Sequence, residues 1–460
     1  MSHPYTAHST PAPPKIAFPI LASVQAVLIF TITLIAVPLP LIGEEFGLTT
    51  ADLVLLQVAY GLPYSGLLLL GGALSDRFGG SCLFRTGLWG FGLSSLGAAL
   101  SLSFEMLVTM RALQGVAAAM VAPAAVAHVA ALYPDAKRFD RAMARWGGIS
   151  VLGAAAGTVL SGVLTTWISW RWMFAVPCLT VFVALTLHGS VLPVVRGRQA
   201  QAERLDLLGA LLALIALVSG GFALSMGSEH SWTSTPVALT FLLALFALVG
   251  FLRRERSIAA PLLPPNFFAD RRRVLGSLGI LLAAASMGLV TFILALSLQG
   301  GPGWSPLATA MAMVPYLAVL ILSSGPAAGT VTRIGSNRTM GLGLLLAAAG
   351  LALLTGFGPD YFTQILPGLI VLPVGTSLMF AASAVLLTQD VAPERMGLAA
   401  GVMNTAMELG PTAGMAGFLA LAGLRSELDA GWSLSLMAAA GAAILIAIYA
   451  VFGQWSRANG

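Results

Sequence analysis

Glu408 is the residue best placed to do chemistry. It lies far inside an apolar stretch, between Met396 and Ala422, and it is the one of 18 acidic residues that does so. A charged side chain at the centre of a bilayer costs about 3 kcal/mol on insertion scales. A carboxyl held there gains or releases its proton according to which water it can reach. Asn404, Thr405 and Thr412 stand at i−4, i−3 and i+4 from it and continue a polar stripe on one helix face. Proton coupling or cation binding is the chemistry on offer; the structural alternative is a neutral glutamic acid bonded to a neighbouring helix. Arg111 is the basic counterpart, away from both ends of its stretch. Gln114, Gly115, Ala118, Ala119 and Ala122 share its side, a small-residue stripe that permits close helix packing. Its long side chain can also snorkel towards a membrane surface. Gln25 and Thr33, eight residues apart, lie on one side of the first helix, and Gln57, Tyr60 and Tyr64 on one side of the second. Polar groups in lipid face the bundle interior, where they line a cavity or tie helices together. Met403, Met407 and Phe380 offer adaptable apolar wall.

The elements that hold these residues are membrane helices. Of 460 residues, 58% are apolar by type and 9% are charged, against roughly 25% charged in soluble domains. At about 20 apolar residues per crossing, spans are predicted at 17–43, 50–74, 82–103, 105–133, 140–165, 172–193, 206–227, 235–252, 274–299, 306–330, 337–357, 361–388, 394–422 and 432–453. These runs are continuous rather than alternating, which argues against a β-barrel. An even number of crossings puts both termini on one side. On that side fall all but Arg111, Arg171 and Arg425 of the 23 lysines and arginines. The positive-inside rule therefore predicts cytoplasmic termini, and it accounts for the net charge of +5 without nucleic acid. Trp167, Trp170, Trp172, Trp232, Trp304 and Trp432 fall at the opposite loops, as an interfacial belt does. The lone cysteines Cys82 and Cys178 offer neither a disulfide framework nor a metal site. No GxxxxGK[ST] phosphate loop and no HExxH helix occurs, so neither ATP-driven transport by this chain nor membrane proteolysis is expected.

An internal repeat is visible. Arg77-Phe78-Gly79 after the second span recurs as Arg333-Ile334-Gly335 after the tenth, 256 positions later. Gly153-Ala154-x-x-Gly157 recurs as Gly410-Pro411-x-x-Gly414. Two six-helix halves with an inserted pair predict a transporter whose site lies at midplane between the halves. With these motifs the chain resembles the major facilitator superfamily, in its fourteen-helix drug:proton antiporter branch. Gly72-x-Leu74-x-Asp76-Arg77-x-Gly79 is similar to that superfamily's cytoplasmic signature, and Arg111-x-x-Gln114-Gly115 to a second one. Ser169-Trp-Arg-Trp-Met-Phe174 and Pro261-Leu-Leu resemble segments typical of the branch. The resemblance spans roughly 17–453.

That resemblance implies a cytoplasmic gate of Gly72, Asp76, Arg77, Gly79 and, in the second copy, Arg333. There the glycines allow close approach and the acid accepts bonds from a neighbouring helix N-terminus. Thr332 replaces the acid in the second copy, so the latch is expected to be asymmetric. It further implies that Arg111 anchors hydrogen bonds that reorient during transport or proton release. The chain departs from the pattern in three places. Thr31 stands where the branch carries an acid on the first helix, nine residues before Pro40. Ala154 stands for the proline of the fifth, and Gly80-Ser81 for two basic residues.

The expected fold is an all-α integral membrane protein with fourteen helices. The expected segments are a disordered 1–16, a six-helix bundle at 17–193, a linker with two inserted helices at 194–273, a second bundle at 274–453 and a tail at 454–460. The expected function is proton-coupled export of an amphipathic organic compound, cationic in one variant, by alternating access. Proton coupling falls to Glu408 and Arg111, and substrate contacts to Gln25, Thr31, Thr33, Gln57, Tyr60, Asn404, Thr405 and Thr412. Helix packing falls to Gln114, Gly115, Gly153, Gly157, Gly410, Pro411 and Gly414. No catalytic group, metal or cofactor is expected; the partners are small molecule, protons and bilayer, and the chain is expected to act as a monomer in the cell membrane. A facilitator or single-metabolite exporter in which Glu408 binds substrate, and a non-transporting sensor or scaffold, remain as alternatives.

Overall fold

The computed structural model describes residues 16–197, 206–227, 234–258, 261, 265–300, 303–356, 360–391, 396–425 and 427–452. Residues 1–15 of the predicted N-terminal segment 1–16, the predicted tail 454–460, Trp232, and Leu262-Leu263 of the Pro261 motif lie outside the described residues. Among the described residues every regular element is helical. The chain runs through α1 (Ala17–Thr33), α2 (Leu39–Phe46), α3 (Thr50–Val58), α4 (Gly61–Phe78), α5 (Gly80–Ala99), α6 (Phe104–Leu132), α7 (Ala136–Trp167) and α8 (Ala175–Val191). The inserted pair is α9 (Leu207–Gly227) and α10 (Thr235–Ser257). There follow α11 (Arg271–Gly300), α12 (Pro306–Ala312), α13 (Val314–Ile334), α14 (Ser336–Leu353), α15 (Leu366–Thr388), α16 (Met396–Leu409), α17 (Met415–Leu419) and α18 (Leu428–Phe452). Ten helical segments among the described residues are long and apolar enough to cross a membrane. The other four predicted spans coincide with α1–α2, α5, α14 and α16–α17, which are too short, interrupted or polar to qualify on length and hydropathy alone.

Proline sets most of the interruptions. Its ring removes an N–H and crowds the carbonyl four residues back. Pro63 therefore breaks the ladder at Ala59-Tyr60, between α3 and α4, and Pro38 and Pro40 separate α1 from α2. Pro411 falls in a π-helical turn, Gly410–Gly414, that joins α16 to α17.

The sequence repeat returns as geometry. Gly79 ends α4 with φ 94° and Gly335 ends α13 with φ 85°, and in both cases the next helix starts at once. Only glycine adopts that backbone without strain. Gly153 lies against α1, where a Cβ would stand 2.9 Å from the Ala26 Cα. Gly410 lies against α11, where a Cβ would stand 2.6 Å from the Leu281 carbonyl oxygen. The two motifs thus occupy matching positions, each pressed on the first helix of its half.

The Ser169–Phe174 motif forms a clasp at the end of α2. Arg171 Nη2 lies 2.7 Å from Glu45 Oε1 and also donates to the Ser101 carbonyl at 3.1 Å. Trp170 Nε1 donates to Glu45 Oε2 at 2.7 Å, and the guanidinium stacks 4.3 Å above the Trp170 ring. The hydrogen bond from Arg171, aided by that from Trp170, holds the Glu45 carboxyl below the usual carboxylate range. The clasp therefore stabilises the fold above the unfolded carboxyl value of ~4.3 and fades as pH falls through the lower folded value. Thermal midpoints of the wild type and Glu45→Gln should differ by a constant amount from neutral pH down to about 5, and should converge as pH falls below about 4.3 and through the lower folded value.

Both ends of the molecule are not closed alike. Near the end of α2, Gln299 Nε2 of α11 donates to the Val37 carbonyl at 2.8 Å. The Leu307 amide of α12 donates to Thr166 Oγ1 of α7 at 3.0 Å. At the opposite end Asp76 and Arg333 are exposed, and neither forms a hydrogen bond or ion pair among the described residues.

Candidate functional site

Glu408 lies one residue before the end of α16, and it is 5% exposed. Thr412 Oγ1, one turn on, donates to the Glu408 carbonyl at 2.8 Å. The Glu408 carboxyl forms no hydrogen bond or ion pair among the described residues, and it interacts electrostatically with Tyr60 and Tyr64. Thr412 packs against Gly61, where a Cβ would stand 3.4 Å from its Cβ and still closer to its Cγ2. The polar end of α16 and its π turn therefore abut the α3–α4 break. A π turn offsets the helix register by about one residue and is frequent at functional sites.

Arg111 approaches the same break from α6. It is fully buried. Nη1 donates to the Thr31 carbonyl at 2.9 Å and to Gln114 Oε1 at 3.4 Å, and the guanidinium lies 5.0 Å from the Tyr60 ring centroid. Nε and Nη2 have no hydrogen-bond partner. Gln114 Nε2 in turn donates to Ser95 Oγ at 2.7 Å. Gly115 brings α6 close enough for this contact: a Cβ there would stand 3.1 Å from the Tyr60 carbonyl carbon and 3.2 Å from the Tyr64 amide. Arg111 and Glu408 do not pair within 4 Å. Tyr60 is the group common to both, under the guanidinium and in the field of the carboxyl, with its hydroxyl donating to the Leu28 carbonyl at 3.1 Å. A cation over an aromatic face in a dry site is worth ~2 kcal/mol, which offsets part of the cost of burying this charge.

The remaining candidates divide. Gln25 Nε2 donates to Ser150 Oγ at 3.2 Å and Thr33 Oγ1 to the Ala154 carbonyl at 3.0 Å, so the shared side of these two residues faces α7. Thr31 Oγ1 donates back to the Val27 carbonyl at 2.7 Å. Gln57 Oε1 and Thr405 Oγ1 are buried without partners, whereas Asn404 is exposed. Buried polar atoms left open in this way, together with the two free nitrogens of Arg111, mark places where a water or ligand is wanted.

At the other end of α4, Gly79 is clasped by the chain that follows α8. A Cβ on Gly79 would stand 2.8 Å from both the Val195 carbonyl oxygen and the Gly197 amide. The Val195 amide donates to Ser81 Oγ at 2.8 Å, and the Ser81 amide to the Val195 carbonyl at 3.2 Å. Ser81, where the resembled pattern has a basic residue, is thus a fastening for residues 193–197, which the sequence did not signal. Arg77 lies over the Phe78 ring at 5.6 Å. Gly72 has nothing within 4 Å of where a Cβ would be, so no close approach explains it here. Ser81→Ala should cost about 1 kcal/mol through the lost bond and should raise proteolysis of the 193–197 strap while leaving α4 and α5 protected.

A family profile described as Major Facilitator Superfamily matches residues 20–298. Puromycin resistance protein pur8 of Streptomyces alboniger is 35% identical over 86% of this chain and 79% of its own length. Cephamycin export protein CmcT of Amycolatopsis lactamdurans is 33% identical over 86% of this chain and 82% of its own. A lincomycin resistance protein of Streptomyces lincolnensis is 30% identical over 94% and 89%. Among solved structures, a crystal structure of nucleoside transporter NupG superposes with a TM-score of 0.66 at 12% identity, covering 95% of this chain and 98% of that one. At that identity the likeness speaks for the fold alone.

Proposed function

The chain belongs to the major facilitator superfamily of multi-pass membrane transporters, and from that premise we propose that it exports an amphipathic antibiotic-like compound in exchange for protons. The observation that carries the reading is Glu408, a buried carboxyl without an ionic partner beside the α3–α4 break. An acid so placed holds its charge only when water or an opposite charge reaches it. Alternating access supplies that condition twice per cycle, once from each side. Arg111, Tyr60 and Gln114 form the fixed polar frame, and Gln57, Thr405 and Thr412 are the substrate contacts with the best claim. Gln25 and Thr33 act by holding α1 to α7.

The names of the relatives support export of a drug: one confers puromycin resistance, one lincomycin resistance, and one exports cephamycin. The proposal includes fourteen crossings, cytoplasmic termini, residence in the cell membrane and action as a monomer. With one central carboxylate and Thr31 in place of a second, the exchange carries one proton per cycle. The test is uptake of labelled puromycin and lincomycin into proteoliposomes under an imposed pH gradient. Accumulation that collapses with a protonophore is expected for at least one compound. Flux that runs only downhill and ignores the gradient would defeat the coupling.

A further inference from the structure

Three arginines converge where α7 enters its apolar stretch. Arg138, Arg141 and Arg145, with Phe18, Tyr133 and Ala142, line a cavity of about 170 Å³. Arg138 and Arg145 take no ion pair among the described residues. The Phe18 and Tyr133 rings meet edge to face at 6.0 Å and form its apolar wall. Pockets that take drug-sized compounds run from about 300 to 1,000 Å³, so this cavity suits a small anionic group and not the exported compound.

We propose that this cavity seats the phosphate headgroup of an acidic phospholipid. Guanidinium forks match phosphate oxygens two at a time, and the Arg138 and Arg145 forks on one cavity, with Arg141 adding its charge, make a phosphate the complementary ligand. The alternative source of the same chemistry is a free phosphate ion, and position decides between them. The part of α7 that is long and apolar enough to cross a membrane starts at Arg141, so the cavity lies where the chain enters its proposed crossing. Arg138, Arg145 and Leu152 follow one another at seven-residue steps and so lie on one stripe of α7. Leu152 is 60% exposed, so the stripe passes from charge at the membrane edge to apolar surface deeper in. A lipid satisfies both parts; a free ion uses only the first. Basic pockets between membrane helices hold anionic headgroups by this combination. The site is separate from the proposed export pathway and stands whether or not Glu408 couples protons.

The test is native mass spectrometry of the full chain, released from micelles supplemented with phosphatidylglycerol, phosphatidylcholine or inorganic phosphate. Phosphatidylglycerol should be retained over phosphatidylcholine, and Arg138→Gln with Arg145→Gln should weaken its retention about thirtyfold, roughly fivefold per arginine. The charge-preserving pair Arg138→Lys and Arg145→Lys should also weaken it several-fold, since a lysine offers no fork. Ala142→Leu keeps every charge but narrows the cavity, and should lose retention too. Unchanged retention in the lysine pair, which decides the matter if the leucine variant does not fold, would show mere surface attraction and overturn the seat. Binding of inorganic phosphate with the same arginine dependence and equal affinity would overturn the lipid in favour of a soluble ion.

Discussion

Glu408→Gln should abolish uphill transport while leaving downhill exchange of the same compound intact. The glutamine keeps the volume and polarity of the side chain beside Tyr60 and Thr412, so the packing of α16 against the α3–α4 break survives. What it loses is the proton. One proton exchanged for one neutral molecule allows a pH difference of one unit to support about a tenfold concentration ratio. In vesicles with that gradient the wild type should approach tenfold accumulation, and Glu408→Gln should settle at parity. Glu408→Asp, which keeps the acid but draws it back by a methylene, should accumulate at a reduced rate. Undiminished accumulation in the glutamine variant would remove Glu408 from the coupling step.

Gly115→Val should be severely damaging to the first half of the chain. The new side chain would meet the backbone of Tyr60 and Tyr64, and backbone cannot turn aside as a flexible side chain can. Overpacking of this kind costs about 1–3 kcal/mol where side chains give way, and the upper end or beyond is expected where a helix must shift. The shift would carry Tyr60 away from Arg111 and leave a buried cation without its ring. The folded, monodisperse fraction on size-exclusion chromatography should fall sharply, and any surviving protein should not transport. Gly72→Ala provides the contrast within a signature motif. With open space at its Cβ position it should be neutral or slightly stabilising, since glycine in a helix interior is about 0.5–1 kcal/mol worse than alanine. A Gly115→Val protein that melts like the wild type would show that the α4–α6 contact gives more readily than its backbone spacing suggests.

Much of the architecture was legible in the sequence because lipid leaves few choices. Continuous apolar runs must be helices, and the 256-residue repeat reappears as two glycines of like φ, Gly79 and Gly335. Glu408 stood out for the same reason: in hydrocarbon a lone acid is costly and rare. The breaks were harder to see. Proline is tolerated in membrane helices, so Pro63 and Pro411 announced a disturbance without saying whether it would be a gap or a π turn. The role of Gln25 and Thr33 was ambiguous for a physical reason. Their eight-residue spacing puts them on one side of α1, but only packing tells whether that side meets a chamber or, as here, α7. Tyr60 was named for its polarity, and its place beneath Arg111 depends on Gly115 and on a helix break, neither of which spacing encodes. Ser81 looked like a missing basic residue and proved to be a fastening.

The bonds from Gln299 to Val37 and from Leu307 to Thr166, set against the unengaged Asp76 and Arg333, bear on timing. In the proposed orientation these two bonds tie the outer ends of the two halves together. A molecule arriving from outside then meets a shut seam. In the proposed cycle that seam must part for release, and conformational steps of this kind limit turnover in many enzymes.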